Sequence, residues 1–315
     1  MKAIMYHYVR PNSNSLPYFK NMDLDDFLKQ LDYFESTFNL LNKKQFEGII
    51  LNRHNHNAES EPLQNNIVLT FDDGFQDHYR YVFPELVRRN TFGIFYIATY
   101  PYLTGKMLDV HRIHLLIGKY GGGVIYKSIK NIVDKDMFSN DDMERFNSIT
   151  YNKQNNDNYT DQVKKTLNYY IKYEYRGYVI DKLMGNFFPN EKDMVKKFYL
   201  SKDNIIEMHK SGMIIGSHTV NHKVMSRLTL DEQRYEIEES FLFLEELLGP
   251  KSVKTFCYPY GGFHSFTKET EVILDKNKCL FSFNVESRDI NHSDLADKCQ
   301  KLPRYNCNMF YPLST

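Results

Sequence analysis

Ile67-Val68-Leu69-Thr70-Phe71-Asp72-Asp73-Gly74 is an apolar run with β-branched residues that ends in two carboxylates and a glycine. Its composition predicts a strand buried on both faces, as in parallel sheets, and Asp-Asp-Gly breaks it at its carboxyl end. Upstream, an Asn/His/Glu-rich stretch from Asn52 to Asn66 reads as a solvated loop. Earlier still, Ala3-Ile4-Met5-Tyr6 reads as a short strand. Asp23 to Phe38 reads as a helix, with Phe27, Leu28, Leu31 and Phe34 at helical spacing and Asp23, Asp25 and Asp26 at its start. Downstream, Tyr79 to Asn90 reads as a helix and Thr91 to Ala98 as a second buried strand. This alternation predicts βαβ units and a parallel sheet.

The pattern changes over residues 105–199. Tyr120-Gly121-Gly122-Gly123, a polar stretch from Tyr151 to Asp161 and amphipathic segments around Val163 to Leu183 predict a mostly helical insertion. Regular alternation then returns: helix Lys202 to Lys210, strand Met213 to Ser217, helix Leu230 to Leu248 and strand Val253 to Tyr258. No internal repeat or convincing linker divides the chain. The expectation is one domain over 1–315, formed by 1–104 and 200–315 around the insertion.

Lysine plus arginine equals aspartate plus glutamate at 40 each, so no net field favours nucleic acid or an anionic membrane surface. A small or neutral partner is expected. The 24 tyrosines fit a sugar site, although most are ordinary core and surface residues. Met1 to Arg10 contains no uninterrupted apolar segment, and no later run approaches the roughly 20 residues that span a bilayer. The expectation is a cytoplasmic protein without stable membrane insertion. Cys257, Cys279, Cys299 and Cys307 form no CxxC pair and are expected to be reduced structural thiols.

Three strand ends carry the residue types of a hydrolytic metal site: Asp72-Asp73, His218 to His222, and Tyr258-Pro259-Tyr260-Gly261. In parallel α/β folds such ends converge on one face. Adjacent carboxylates repel, which a cation relieves. Two imidazoles four residues apart can share an ion, and imidazole with carboxylate suits Zn²⁺ or a similar cation while leaving positions open for water and substrate. Alone, Asp-Asp-Gly is an ordinary turn and HxxxH a weak signal. Their joint occurrence at two core-strand ends points to a metal site.

Thr70-Phe71-Asp72-Asp73-Gly74 resembles the TFDDG motif, and Ser217-His218-Thr219-Val220-Asn221-His222 the SHTxxH motif, of the polysaccharide deacetylases, the carbohydrate esterase family 4 enzymes that share the NodB homology domain. The resemblance covers 1–104 and 200–315. It implies a distorted (β/α) barrel, with Asp73, His218 and His222 as metal ligands and Asp72 as general base. The implied activity is hydrolysis of the N-acetyl group of an amino sugar in a surface glycan or its cytoplasmic precursor, nucleotide-linked or lipid-linked. The implied cation is Zn²⁺, with Co²⁺, Ni²⁺ or Mn²⁺ as alternatives.

The departures from the family pattern are specific. In place of RxPY stands Cys257-Tyr258-Pro259-Tyr260-Gly261, which resembles the YPYG variant. The arginine that orients the base is therefore missing from that motif, and Arg304 in Leu302-Pro303-Arg304-Tyr305 is the candidate replacement. By the same resemblance the backbone N–H of Tyr260 helps hold the oxyanion. The late LxH motif is absent, and Met5-Tyr6-His7 resembles the YH motif of circularly permuted members, which makes His7 the candidate acid. In the insertion, Asp109-Val110-His111-Arg112-Ile113-His114 reads first as a helix start with incidental histidines, and otherwise as a substrate clamp or a second acid, with His111 the candidate substrate-binding residue. Two other readings stay open: a hydrolase of another N-acyl or cyclic amide, and a catalytically silent carbohydrate-binding protein.

Overall fold

The protein is described by a computed structural model covering residues 1–52, 63–151, 156–188, 190–250 and 252–311. Most of the loop expected over Asn52 to Asn66 lies outside the described residues, as do residues 152–155 of the polar stretch. The chain divides into two compact units, one of residues 1–12, 21–103 and 196–315, the other of residues 13–20 and 104–195.

Among the described residues the main sheet of the first unit has eight strands: β1 (Lys2–Tyr6), β2 (Asn39–Leu40), β3 (Asn66–Phe71), β4 (Gly93–Ile97), β5 (Ile214–Ser217), β6 (Thr255–Cys257), β7 (Phe281–Phe283) and β8 (Tyr305–Asn306). Their order is β8-β1-β3-β4-β5-β6-β7, with β2 on the start of β3, and every pairing is parallel. Burial of all six β3 residues explains its unbroken apolar run. Phe71 stacks on Tyr6 at 5.2 Å and on Phe95 at 4.8 Å, tying β3 to both neighbours. The sheet curls until its ends meet. Leu302 bridges in parallel to Phe283 of β7, and three residues later Tyr305 pairs with Ile4 of β1. The result is the distorted barrel expected from the sequence.

Helices α1 (Leu24–Thr37), α2 (Lys43–Leu51), α3 (Phe83–Arg88), α4 (Lys202–Lys210), α5 (Leu230–Leu248) and α6 (Lys268–Lys276) belong to this unit. Asp23 caps α1 by accepting from the Asp25 N–H, and Thr229 forms a capping box with Glu232 at the start of α5. The helix expected over Tyr79 to Asn90 is instead a π-helical turn, His78–Val82, followed by α3. Pro84 has no N–H to continue an α ladder, which gives the interruption a local cause.

The second unit is helical, with helices Asp109–Tyr120, Gly122–Lys130, Asn140–Asn147, Asn158–Lys165 and Tyr173–Phe187 among its elements. Ile113, Leu116, Ile125, Val163, Leu167, Ile180 and Leu183 form its core. A Cβ on Gly122 would lie 2.5 Å from the Thr160 backbone nitrogen, so the Gly-Gly-Gly sequence permits close helix approach there.

Candidate metal centre and its surroundings

Strand register gathers the polar residues. Tyr6 pairs with Phe71, so the next residues of β1 and β3, His7 and Asp72, are neighbours. Ile97 pairs with Ser217, and Ser217 with Phe256, so His218 leaves β5 beside Cys257 at the end of β6. Asp73 follows Asp72 with φ 79°, in the left-handed region that aspartate enters more readily than most residues.

Asp73, His218 and His222 offer three ligand atoms within 4.8 Å of one another, all from buried residues. Asp73 Oδ1 lies 3.3 Å from His222 Nε2 and 3.6 Å from His218 Nε2. Those lengths match the edges of a tetrahedron with bonds of about 2.0–2.1 Å, the geometry zinc adopts with nitrogen and oxygen ligands. His218 Nδ1 sits 2.7 Å from the Cys257 carbonyl, which can only accept. Nδ1 therefore carries the proton, and the Nε2 lone pair faces Asp73. Burial lowers the His218 pKa to about 4 against the raising effect of Asp72 and Asp73, so the imidazole is neutral at neutral pH, as a ligand must be. The donor set fits a divalent cation.

A second trio, Asp72, His218 and Cys257, is also compact. It suits a cation less well. Both Asp72 oxygens are held by Arg304, at 2.8 Å from Nη1 and 2.9 Å from Nη2. Burial also pushes the Cys257 thiol well up, keeping it protonated. Burial alone would raise the Asp72 carboxyl too, but the Arg304 guanidinium, with smaller contributions from His218 and His7, brings it down to about 2.

Arg304 is 1 % exposed although it carries a full charge. It lies on the three-residue crossing from the β7 bridge to β8, which carries it into the barrel. His7 Nε2 stands 3.9 Å from Asp72 Oδ2, and its side chain is part-exposed. Tyr260, at φ 66°, places its ring 5.0 Å from that of His222. Arg304, His7 and Tyr260 thus join Asp72, Asp73, His218 and His222 in one cluster. His111 lies in the helical unit, fully buried on Asp109–Tyr120, with its ring 6.2 Å from that of His114.

Three participants carried no usable sequence signal. Cys257 Sγ accepts from Arg304 Nη2 at 2.9 Å. His78 donates from Nε2 to the His7 carbonyl at 2.7 Å. Glu236 on α5 accepts from the backbone N–H groups of Val220 and Asn221, between His218 and His222.

Residues 140–277 match the family model described as polysaccharide deacetylase. The match contains His218 to His222 and Tyr258 to Gly261, while Asp72 and Asp73 lie outside it, just past the end of β3. No curated protein sequence matches the chain. The chain is similar in structure to the Streptococcus pyogenes deacetylase PplD in complex with acetate, with TM-score 0.58 and 15 % identity over 97 % of this chain and 91 % of that one. It is also similar to a de-N-acetylase from Aggregatibacter actinomycetemcomitans, with TM-score 0.54 and 13 % identity over 99 % and 97 % of the two chains. For the BpsB deacetylase domain of Bordetella bronchiseptica the TM-score is 0.51, with 12 % identity over 97 % and 94 %. At these identities structural likeness establishes the fold. Together with the matched segment, it bears out the resemblance to the polysaccharide deacetylases.

Proposed function

We propose that this polysaccharide-deacetylase-like protein is a divalent-metal hydrolase that removes the acetyl group from an N-acetylated amino sugar, in a surface glycan or its nucleotide-linked or lipid-linked precursor. The observation that carries the reading is the buried Asp73, His218 and His222 trio standing beside an Asp72 that Arg304 keeps ionised. Zn²⁺ is the proposed cation, with Co²⁺, Ni²⁺ and Mn²⁺ as alternatives. Bound by those three residues, it supplies Lewis acidity toward the amide carbonyl and acidifies water.

The remaining roles fall to the chain itself. Asp72, ionised at neutral pH, accepts the proton of the attacking water. Arg304 fixes both Asp72 oxygens and so orients the base. The Tyr260 backbone N–H donates to the oxyanion, a kind of contribution worth about 3–4 kcal/mol per donor in comparable hydrolases. His7, beside Asp72 and part-exposed, delivers a proton to the departing amine. The products are acetate and an amino sugar. His7 at the end of β1 is the feature that favours the circularly permuted branch.

Among the described residues no helix is long and apolar enough to cross a membrane. A cytoplasmic site of action is part of the proposal. The test is acetate release from N-acetylglucosamine oligomers and from N-acetylated sugar nucleotides, with Zn²⁺ or Co²⁺ added, alongside Asp72→Asn and a chelated control. Metal-dependent release abolished in Asp72→Asn supports the reading. Wild-type protein that binds one cation and releases no acetate from either class overturns it.

A further inference from the structure

The peptide between the two ligand histidines is held in a costly shape. Thr219 has φ 68° and His222 φ 54°. For a β-branched threonine the left-handed region is a genuine outlier, which persists only where the surroundings over-determine it. The turn lets both imidazoles face Asp73, so whatever holds the turn also sets the spacing of the ligand atoms.

Glu236 lies on α5, 14 residues beyond His222 in sequence and 1 % exposed. Its Oε2 accepts from the Val220 N–H at 2.9 Å and the Asn221 N–H at 2.7 Å, and its Oε1 accepts from Asn221 Nδ2 at 2.7 Å. All three donors belong to the segment between His218 and His222. One turn farther along α5, the Ser240 hydroxyl lies 2.6 Å from Ser217 Oγ, which accepts from the Thr219 N–H at 3.1 Å. Thr219 Oγ1 in turn accepts from the His222 N–H at 2.9 Å. Two consecutive N–H groups converging on one buried oxygen leave the turn little freedom, because any other shape strands a buried donor.

From this geometry we infer that Glu236 is a positioning residue for the metal centre, acting through the Thr219 to Asn221 turn to preset the spacing of His218 and His222. The inference rests on the metal-site reading above. It makes the α5 carboxylate part of the affinity for the cation, beyond any share it has in stability.

The test is Co²⁺ titration followed by the visible absorption of the bound ion, with Zn²⁺ affinity from competition against a chromophoric chelator and apo-protein stability from thermal unfolding. Glu236→Ala is expected to lower both affinities by about 10–100-fold and to alter the Co²⁺ spectrum, the usual scale for a lost partner behind the ligands. Glu236→Gln retains an acceptor for the two backbone N–H groups and should recover most of the affinity. A purely structural glutamate would lower the melting temperature of Glu236→Ala while its folded fraction bound cation with wild-type affinity and spectrum, which overturns the inference. Should Glu236→Ala not fold, Glu236→Asp, one methylene shorter, carries the test: weakened binding supports the inference and unchanged binding overturns it. Wild-type protein that takes up no cation overturns the metal-site reading itself, an outcome distinct from equal binding by wild type and variants.

Discussion

Arg304 and Asp72, 232 positions apart in the chain, form a two-point ion pair at 2.8 and 2.9 Å inside the barrel. The same guanidinium donates to Thr70 Oγ1 at 3.0 Å and to Cys257 Sγ at 2.9 Å, so it joins β3, β6 and the crossing into β8. Desolvating such a pair is costly, and its two-point geometry offsets that cost only while both partners are present.

Removing one partner should therefore be worse than removing both. Arg304→Met leaves a buried carboxylate unpaired and is expected to cost about 3–5 kcal/mol in urea unfolding. Adding Asp72→Asn to Arg304→Met should recover part of that loss. Two single losses that simply add would mean that the pair is not coupled in the folded state.

If the Asp73, His218 and His222 trio takes a cation as proposed, binding to the folded state alone stabilises the protein by mass action. With free Zn²⁺ at about 100 times its Kd, unfolding should become about 2.7 kcal/mol less favourable, and a chelator should reverse the gain. Asp73→Ala, His218→Ala and His222→Ala should each abolish most of this shift. A shift of wild-type size in all three would place the cation elsewhere.

The strands flanking the site were legible because burial on both faces writes itself as an unbroken apolar run, as in Ile67 to Phe71. The Asp-Asp-Gly break and the His218 to His222 spacing were legible for the same reason, standing directly at strand ends. Arg304 could be offered only as a candidate, since its partnership with Asp72 depends on barrel closure through the two-residue strand Tyr305–Asn306. Glu236 was hidden for a different reason. It sits in Tyr235-Glu236-Ile237-Glu238-Glu239, where alternating acids on a helix look like a solvated face, and only packing against the Thr219 turn distinguishes it from Glu238 and Glu239. The π-turn at His78 was likewise concealed within a segment of helical spacing.

If His7 supplies the proton to the leaving amine, His7→Gln should keep cation affinity while lowering kcat by about 10²–10⁴-fold, the range for a lost acid or base. The measurement is acetate release at saturating substrate together with Co²⁺ titration. Near-normal kcat would remove His7 from the chemistry, and a parallel loss of cation would make it part of the ligand set.

The pH dependence of stability should carry the signature of His78. The ring is fully buried, with Phe71, Phe75 and Phe95 at 5.4–5.7 Å, and its Nε2–H bonds to the His7 carbonyl. Burial lowers its pKa from 6.5 to about 4, with the His7 carbonyl opposing the shift. Between those values the unfolded chain binds a proton that the folded chain refuses. The stability contributed is thus complete above about pH 6.5 and is lost as pH falls toward 4, by on the order of 3 kcal/mol. In the metal-free protein His218, also lowered to about 4, adds loss over the same window. Asp72, lowered from 3.8 to about 2, has the stabilising contribution of a depressed carboxylate, present above about pH 4 and lost only on further acidification. His78→Gln preserves a donor for the His7 carbonyl and removes the proton-binding ring. Urea unfolding of metal-free protein between pH 7 and 4 should therefore show a visibly shallower decline for His78→Gln than for wild type, and equal slopes would mean that His78 titrates alike in the folded and unfolded chain.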